Sequence, residues 1–247
     1  MKMRYPAIFF DVGWTLARPC PSFGELYASI CDRLGYPLSL EEAQQTLRMA
    51  WLQRTPKGFD RNRPYLDSDE KFRISTLSLS EKVFKLAGVP QHLIDKGFEE
   101  FFQVFYNSRQ WKVYPEVFET LQSLRKMGHT LVIISNAHTY MPQICQELEL
   151  SNLFDHLIIS ALEGIRKPDA RIFEKALALA GVQPEQALHI GDFYLEDVCG
   201  PHNLGIQPVR IDRQRESFLA GLDYLSPDGI LDHPVIHHLR ELFPLLD

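Results

Sequence analysis

Four short segments end in polar side chains that could do chemistry. Asp11 follows the apolar residues 7–10 and is followed at once by turn-forming residues. Such an apolar run is typical of a parallel strand covered on both faces, and ligands bind just beyond the carboxyl ends of such strands. A single Asp in this position is more often a cap or a turn residue. Three later segments with a similar pattern favour a functional role: 131–136, 166–169 and 188–197.

The residue types in these segments are those that hydrolysis of a phosphate monoester requires. The charge of the ester repels nucleophiles, so a catalyst needs a carboxylate nucleophile, a divalent metal ion and a further cation. Asp11 and Asp192 offer carboxylates, which Mg²⁺ prefers together with water and phosphate oxygens. Lys167 offers the cation, and Ser135 and Asn136 offer hydrogen bonds to phosphoryl oxygens. A small phosphorylated substrate is therefore predicted.

Taken in this order, the segments resemble the haloacid dehalogenase-like (HAD) hydrolase superfamily. The resemblance implies that Asp11 forms an aspartyl phosphate and that Thr15 contacts the phosphate. It also implies that Asp11, Asp192 and the Gly13 carbonyl bind Mg²⁺. Asp197 matches the second carboxylate of the family's GDxxxxD pattern, which supports the metal directly or through water, or orients the lysine.

The region around this fourth motif also resembles one subfamily. Residues 191–197 followed by Gly200-Pro201 look like the subfamily that contains haloacid dehalogenase-like hydrolase domain-containing protein 3. The helical segment after the first strand would then be its cap. A metal-free dehalogenase is disfavoured, because the family's dehalogenases lack the Gly-Asp carboxylate that is present here as Asp192.

The first motif departs from the family's phosphatase pattern, DxDxT, at one position. Gly13 replaces the second Asp, which protonates the leaving alcohol and then activates water. Such an acid/base is worth ~10²–10⁴-fold in rate, so slow turnover of alkyl phosphates is predicted. Two alternatives stay open: a catalytically impaired protein that binds a phosphorylated ligand or a protein partner, and a phosphonatase. Phosphonatases form a Schiff base with a cap lysine, and Lys57 or Lys71 could be proposed for that role, although a surface lysine is the simpler interpretation of each.

The elements that position these groups are predicted from periodicity and caps. Alternating strands and helices from residue 115 onward indicate an α/β fold with a parallel sheet and right-handed crossovers. Helix-start signals at residues 22, 39, 67–70 and 90 indicate four helices in between. We predict a Rossmann-like, HAD-like core of residues 1–16 and 112–247 with an inserted four-helix-bundle cap of residues 17–111. Later helices are predicted at 115–127, 141–148, 169–180, 195–203 and 234–242, and later strands at 130–135, 157–160, 187–190 and 207–211.

Between the second and third cap helices, residues 55–66 form a connector without helical periodicity. It contains Lys57, Arg61 and Arg63, together with two prolines and a glycine. A solvated loop is the simpler interpretation, whereas contact with an anionic ligand is the functional alternative. In the tail, the short apolar segment 229–231 and the final helix are both predicted to close the core domain.

Composition limits the remaining classes of function. The 247 residues are 45% hydrophobic, which is enough for a substantial core, and the net charge is −6. Mixed charges of this kind favour neither nucleic acid nor an anionic membrane surface. The four cysteines form no CxxC pair, so we expect no disulfide framework, no zinc site and a cytoplasmic location. No signal peptide is expected, and the oligomeric state is unknown.

Overall fold

A six-stranded parallel sheet is the centre of the computed structural model, which describes residues 3–54, 67–213 and 231–246. A second, two-stranded sheet lies beside it in the same described residues. The strands are β1 (Ala7–Phe10), β2 (Ala17–Pro19), β3 (Trp111–Val113), β4 (Thr130–Ser135), β5 (His156–Ile159), β6 (Ala187–Gly191), β7 (Gln207–Ile211) and β8 (Val235–Ile236).

The order of strands brings the predicted site residues to one edge. The order is β5-β4-β1-β6-β7-β8, so β1 lies between β4 and β6 and is parallel to both. Phe10 pairs with Ile133 on one side and with Ile190 on the other. Asp11 and Asp192 directly follow β1 and β6, and Ser135 is the last residue of β4, so the three lie at the same edge, as expected for ligand-binding residues of an open α/β sheet.

Each face of the sheet has its own apolar core. All four side chains of β1 are fully buried. Ile8 and Phe10 belong to the cluster on one face, whereas Ala7 and Phe9 belong to the cluster on the other. Successive side chains of a strand point to opposite faces, so a strand covered on both sides is apolar throughout. The predicted α/β class with a parallel sheet is confirmed.

The described residues between β2 and β3 form four helices, and these begin where the caps predicted. Ser22 accepts a hydrogen bond from the Glu25 amide, and Ser39 and Glu42 form a capping box. Most of the buried apolar side chains of the four helices belong to one hydrophobic cluster. The division into a core and a cap stays a prediction. The helices are α1 (Phe23–Arg33), α2 (Leu40–Arg54), α3 (Asp69–Leu86), α4 (Gln91–Phe105), α5 (Val117–Met127), α6 (Met141–Glu147), α7 (Ser160–Glu163), α8 (Ala170–Ala180) and α9 (Gly200–His202).

The helix predicted at 234–242 is wrong. Residues 235 and 236 form β8, which extends the sheet beside β7, and a 3₁₀-helix follows at Leu239–Leu245. The Arg210 amide donates to the Pro234 carbonyl at 3.0 Å, and the Asp212 amide donates to the Ile236 carbonyl at 2.7 Å. The unpaired edge of β7 thus competes successfully with helix formation in this segment.

Two smaller features also differ from the prediction. The helix predicted at 195–203 is a π-helix, Tyr194–Cys199, followed by the short helix α9. The antiparallel pair of β2 and β3, in which Pro19 lies opposite Trp111, was not expected. The connector 55–66 with Lys57 and most of the segment 229–231 lie outside the described residues. In the part of the chain that the structure describes, no helix is long and apolar enough to span a membrane.

Candidate functional site

Lys167 lies at the centre of the site and is almost completely buried. Its Nζ donates to Asp11 Oδ1 at 2.9 Å and to Asp197 Oδ1 at 2.5 Å. The backbone of Lys167 is held by Asn136, whose Oδ1 accepts from the lysine amide and whose Nδ2 donates to the lysine carbonyl, both at 2.9 Å. Asn136 thus positions the lysine, and one N–H of its amide remains for a ligand.

Asp197 is held by three donors, which explains its orientation. Its Oδ1 accepts from Lys167 and from His189 Nε2, the latter at 2.9 Å, and its Oδ2 accepts from the Phe193 amide at 3.0 Å. Burial raises the pKa of this carboxyl, but Lys167 and the hydrogen bonds outweigh burial and lower the pKa to about 2. Because Oδ1 is fully committed, the geometry favours a role in orienting Lys167, and Oδ2 keeps one lone pair for a metal or its water.

Gly191 is required for the close approach of Asp197 to the strand end. A Cβ at Gly191 would lie 2.2 Å from Asp197 Cγ and 2.6 Å from its Cβ. No side chain fits in that space, because real contacts of this kind are not observed at such distances. The Gly-Asp pair in the fourth motif therefore combines a metal-ligand candidate with the space that the second carboxylate needs.

Three carboxylates form a group that could hold a metal ion. Asp11, Asp192 and Asp197 each offer an oxygen, and these oxygens lie within 4.8 Å of one another. Hard oxygen donors in this arrangement fit Mg²⁺, which keeps several waters and uses few protein carboxylates. Gly13 follows Asp11 by two residues, and a Cβ there would meet only Asp11 Oδ2, at 4.0 Å. Its backbone carbonyl is the predicted fourth ligand.

The Asp11 carboxyl has a raised pKa. Burial is the largest cause, Lys167 lowers the pKa, and the charge of Asp197 raises it again, while a hydrogen bond with Ser135 lowers it slightly. The carboxylate form is the nucleophile, and a divalent cation beside it would favour that form. Metal binding and activation of the nucleophile are therefore linked in this site.

The structure brings most of the predicted residues together around one cavity of about 240 Å³. Its lining includes seven of them: Asp11, Gly13, Ser135, Asn136, Lys167, Asp192 and Asp197. Thr15 is not part of this lining. Its side chain is fully buried, and its hydroxyl has no hydrogen-bond partner among the described residues. A direct phosphate contact from Thr15 has no support in this geometry.

Lys71, one of the two candidate Schiff-base lysines, lies away from the cavity. Its side chain is 48% exposed and pairs with Asp67 in the preceding turn. A Schiff-base lysine needs a desolvated environment that lowers its pKa. The position of Lys71 therefore gives no support to the phosphonatase alternative, and Lys57 lies outside the described residues.

His138 lines the cavity, although no sequence motif marks it as a functional residue. The side chain is fully buried against aromatic rings, with its centroid 4.3 Å from that of Tyr106. Neither ring nitrogen has a hydrogen-bond partner among the described residues. Burial lowers its pKa to about 4, so the ring is neutral at pH 7. Its position two residues after Asn136 was the only available hint.

Trp14 also lines the cavity, in a strained backbone conformation. Its φ is 50°, in the left-handed region, and its amide donates to the Ala17 carbonyl at 2.8 Å. A bulky residue in this region costs about 1–3 kcal/mol and persists only where the surroundings enforce it. The conformation places the indole against Phe23 of α1, with ring centroids 5.2 Å apart.

Comparison with known proteins gives consistent results. Residues 5–200 match the family of haloacid dehalogenase-like hydrolases. The chain is 29% identical over 251 residues to human (Homo sapiens) haloacid dehalogenase-like hydrolase domain-containing protein 3, with 100% of this chain and 95% of the relative covered. It is 27% identical over 245 residues to a glyceraldehyde 3-phosphate phosphatase of Methanothermobacter thermautotrophicus, covering 97% and 99%. A solved structure titled as a predicted phosphoglycolate phosphatase, from Haemophilus somnus, has a TM-score of 0.68 at 18% identity with both chains fully covered, which shows the shared fold.

Proposed function

Because this chain belongs to the haloacid dehalogenase-like hydrolases, as its motifs predicted, we propose that it is a Mg²⁺-dependent phosphatase of a small phosphorylated metabolite. One observation carries the proposal: the Lys167 ammonium lies 2.9 Å from Asp11 inside a cluster of three carboxylates at the strand ends. This arrangement provides a nucleophile, a fixed cation and a site for a divalent ion. A cytoplasmic location stays a prediction from the cysteine pattern.

The reaction would proceed through a covalent intermediate on Asp11. An Asp11 carboxylate oxygen attacks phosphorus, the bond from phosphorus to the ester oxygen breaks, and the leaving group departs with the electron pair as an alkoxide or phenolate, which takes a proton from water. Water then attacks the aspartyl phosphate and releases inorganic phosphate and Asp11. Lys167 stabilises charge on the phosphoryl oxygens, with hydrogen bonds from Ser135 and Asn136.

Metal binding would involve the three clustered carboxylates. Asp11, Asp192 and the Gly13 carbonyl would hold Mg²⁺, with Asp197 supporting it through Oδ2, and the bound ion would neutralise phosphate charge. No side chain at Gly13 supplies the proton to the leaving group. The proposal therefore includes a preference for esters whose leaving groups need little protonation, such as acyl and aryl phosphates.

A phosphate-binding protein without turnover is the second candidate, and Gly13 is the observation that favours it. The two candidates predict different results with p-nitrophenyl phosphate and Mg²⁺: a phosphatase hydrolyses this ester, whereas a binding protein does not. We expect slow hydrolysis that Asp11→Asn abolishes, together with a phosphoryl adduct on the Asp11 peptide in mass spectrometry after rapid quenching. Asp32→Asn, at an exposed position in α1, is the control and should keep the wild-type rate.

The metal assignment has its own measurement. We expect Asp192→Asn to weaken Mg²⁺ binding in titration calorimetry, because the variant removes one of few carboxylate ligands of a hard cation. The Asp32→Asn protein should bind Mg²⁺ as the wild type does. Unchanged affinity in Asp192→Asn would exclude the assignment of this carboxylate to the metal.

A further inference from the structure

The walls of the cavity differ sharply from its base. The base consists of the polar groups at the strand ends, whereas the helices α1 to α4 contribute mainly rings. Phe23 and Tyr27 come from α1, and their neighbours continue the wall across the other helices. The aromatic residues of these helices that line the cavity are Phe23, Tyr27, Trp51, Phe72, Phe101 and Phe105.

The rings begin directly beside the reacting groups. Trp14 follows Gly13, and Phe193 follows Asp192, so two of the metal-ligand candidates are adjacent in sequence to an aromatic side chain that lines the cavity. Phe193 contacts Trp51 of α2 edge to face, with ring centroids 6.2 Å apart. The group attached to the phosphate therefore meets rings within its first few atoms.

Among the described residues, only three polar side chains of the four helices line the cavity, those of Tyr27, Ser75 and Thr76. Among the described residues of α1 to α4, no charged side chain lines the cavity. The hydroxyl of Tyr27 forms a hydrogen bond with Ser80 at 2.6 Å, and that of Thr76 donates to the Phe72 carbonyl of its own helix at 3.0 Å. The charged groups of the described lining come from the other elements.

We infer that the substrate is a phosphate ester of an apolar, ring-bearing alcohol rather than of a polyol. The hydroxyls of a polyol would lose water against these rings without gaining partners, which is unfavourable. A ring can instead pack offset or edge to face against the aromatic wall. The inference rests on the proposed function, because it places the phosphate at the carboxylate base of the cavity.

The inference is tested with two phosphonates that have no ester bond to hydrolyse, so binding is measured apart from turnover. Benzylphosphonate carries a ring, and 3,4-dihydroxybutylphosphonate carries two hydroxyls. Titration calorimetry of the wild-type protein with Mg²⁺ should show that benzylphosphonate binds at least roughly tenfold more tightly. Equal affinities, tighter binding of the dihydroxy compound, or no binding of benzylphosphonate would overturn the inference.

Variants of the aromatic wall test whether these side chains cause the preference for benzylphosphonate. Trp51→Ala should lower the ratio of the two affinities severalfold, whereas Leu52→Ala, at a 39% exposed neighbour, should leave the ratio unchanged. Thr76→Asp places a carboxylate in the wall without deleting a ring and should lower the same ratio. Its control is Ile74→Asp, at a 49% exposed position of the same helix. An unchanged ratio in both wall variants would overturn the inference.

Failure of the inference and failure of the proposed function give different results. If hydrolysis of p-nitrophenyl phosphate depends on Asp11 but the dihydroxy phosphonate binds more tightly, only the ring preference is wrong. If benzylphosphonate binds more tightly and the wall variants reduce that preference while no phosphate ester is hydrolysed, the ring preference is supported and only the proposed reaction is wrong.

Discussion

Gly13 lies two residues from the nucleophile, and its backbone would accept a side chain. Its φ is outside the left-handed region, and a built Cβ meets no atom closer than Asp11 Oδ2 at 4.0 Å. Steric crowding at the Cβ position therefore does not explain the absence of a proton donor here. A substitution at this position can test the missing acid/base directly.

We predict that Gly13→Asp raises the hydrolysis rate of alkyl phosphates more than that of aryl phosphates. The new carboxyl can protonate a poor leaving group, an effect of up to ~10²–10⁴-fold, whereas a phenolate leaves without it. Steady-state rates for a series of esters with different leaving groups check this. Gly13→Asn is the matched control, because it has the same size without the acid/base. Equal gains for both ester classes would contradict the prediction.

Lys167 is predicted to be important for stability as well as for chemistry. Lys167→Met leaves Asp11 and Asp197 facing each other in a buried site, which should lower the free energy of unfolding by about 3–5 kcal/mol. Lys175→Met removes an exposed lysine that pairs with Glu163 and should lower it by less than about 1 kcal/mol. Urea unfolding measures both values. Similar decreases in the free energy of unfolding for the two variants would contradict the prediction that burial makes the Lys167 ion pairs more important than an exposed one.

At the level of elements, the helices α3 and α4 pack closely at one glycine. A Cβ at Gly97 would lie 2.7 Å from the ring of Phe84, which is fully buried. A Cβ at Gly24 in α1 would lie 2.8 Å from Gln44, but this neighbour is a flexible, exposed side chain. The two glycines have similar contact distances and very different neighbours.

We predict opposite outcomes for alanine at these two positions. Gly97→Ala should lower the free energy of unfolding by about 1–2 kcal/mol, because overpacking outweighs the gain in helix propensity. Gly24→Ala should raise it by up to about 1 kcal/mol, because Gln44 can move aside. Thermal and urea unfolding of both variants test the comparison. Destabilisation by Gly24→Ala equal to that by Gly97→Ala would contradict this explanation.

Much of the element structure could be predicted from local signals. The strand at 130–135 has the expected bounds, because its centre is an apolar run that follows a turn residue, and the strand at 207–211 also has the expected bounds. The caps at Ser22 and Ser39 also marked true helix starts. These features depend on short-range physics, namely capping hydrogen bonds and burial on both faces, which neighbouring residues specify.

The wrong prediction at the C-terminal end shows where local signals fail. Apolar residues at 235, 236, 239 and 242 have helical spacing, yet the first two pair with β7. The segment forms a strand because the edge of β7 is available for pairing, and this edge cannot be predicted from the residues of the segment itself. Local signals also miss the role of Asn136 in positioning Lys167. Asn136 was predicted only as a hydrogen-bond donor to phosphate, and its contacts with the Lys167 backbone join two segments 31 residues apart.

At the level of the whole molecule, one buried ion pair connects distant parts of the chain. Arg213 donates to Glu116, at the start of α5, and to the Thr15 carbonyl at 2.6 Å. The Leu239 amide also donates to Glu116, at 3.4 Å. Burial raises the pKa of Glu116, but the hydrogen bond with Arg213 and the other contacts outweigh burial, so the pKa is lowered from its ordinary value of 4.5.

This pair is predicted to contribute to acid sensitivity. The folded-state pKa of Glu116 is lower than the unfolded-state value, so its stabilisation is complete above pH 4.5 and is lost as the pH falls through the folded-state pKa. Glu116→Gln should therefore flatten the decrease in unfolding free energy below pH 4.5. Glu119→Gln, at an exposed pair with Arg240, is the control. A wild-type slope in Glu116→Gln would contradict the prediction.

The short pair of β2 and β3 has a consequence for how such a molecule can diversify. Pro19 and Trp111 are direct neighbours across the pair, so the polypeptide leaves the main sheet and returns to it at almost the same point. An exchange of everything between these two residues would keep the register of every strand that carries a carboxylate. Recombination at this point could therefore change ligand choice while the hydrolytic machinery is inherited intact.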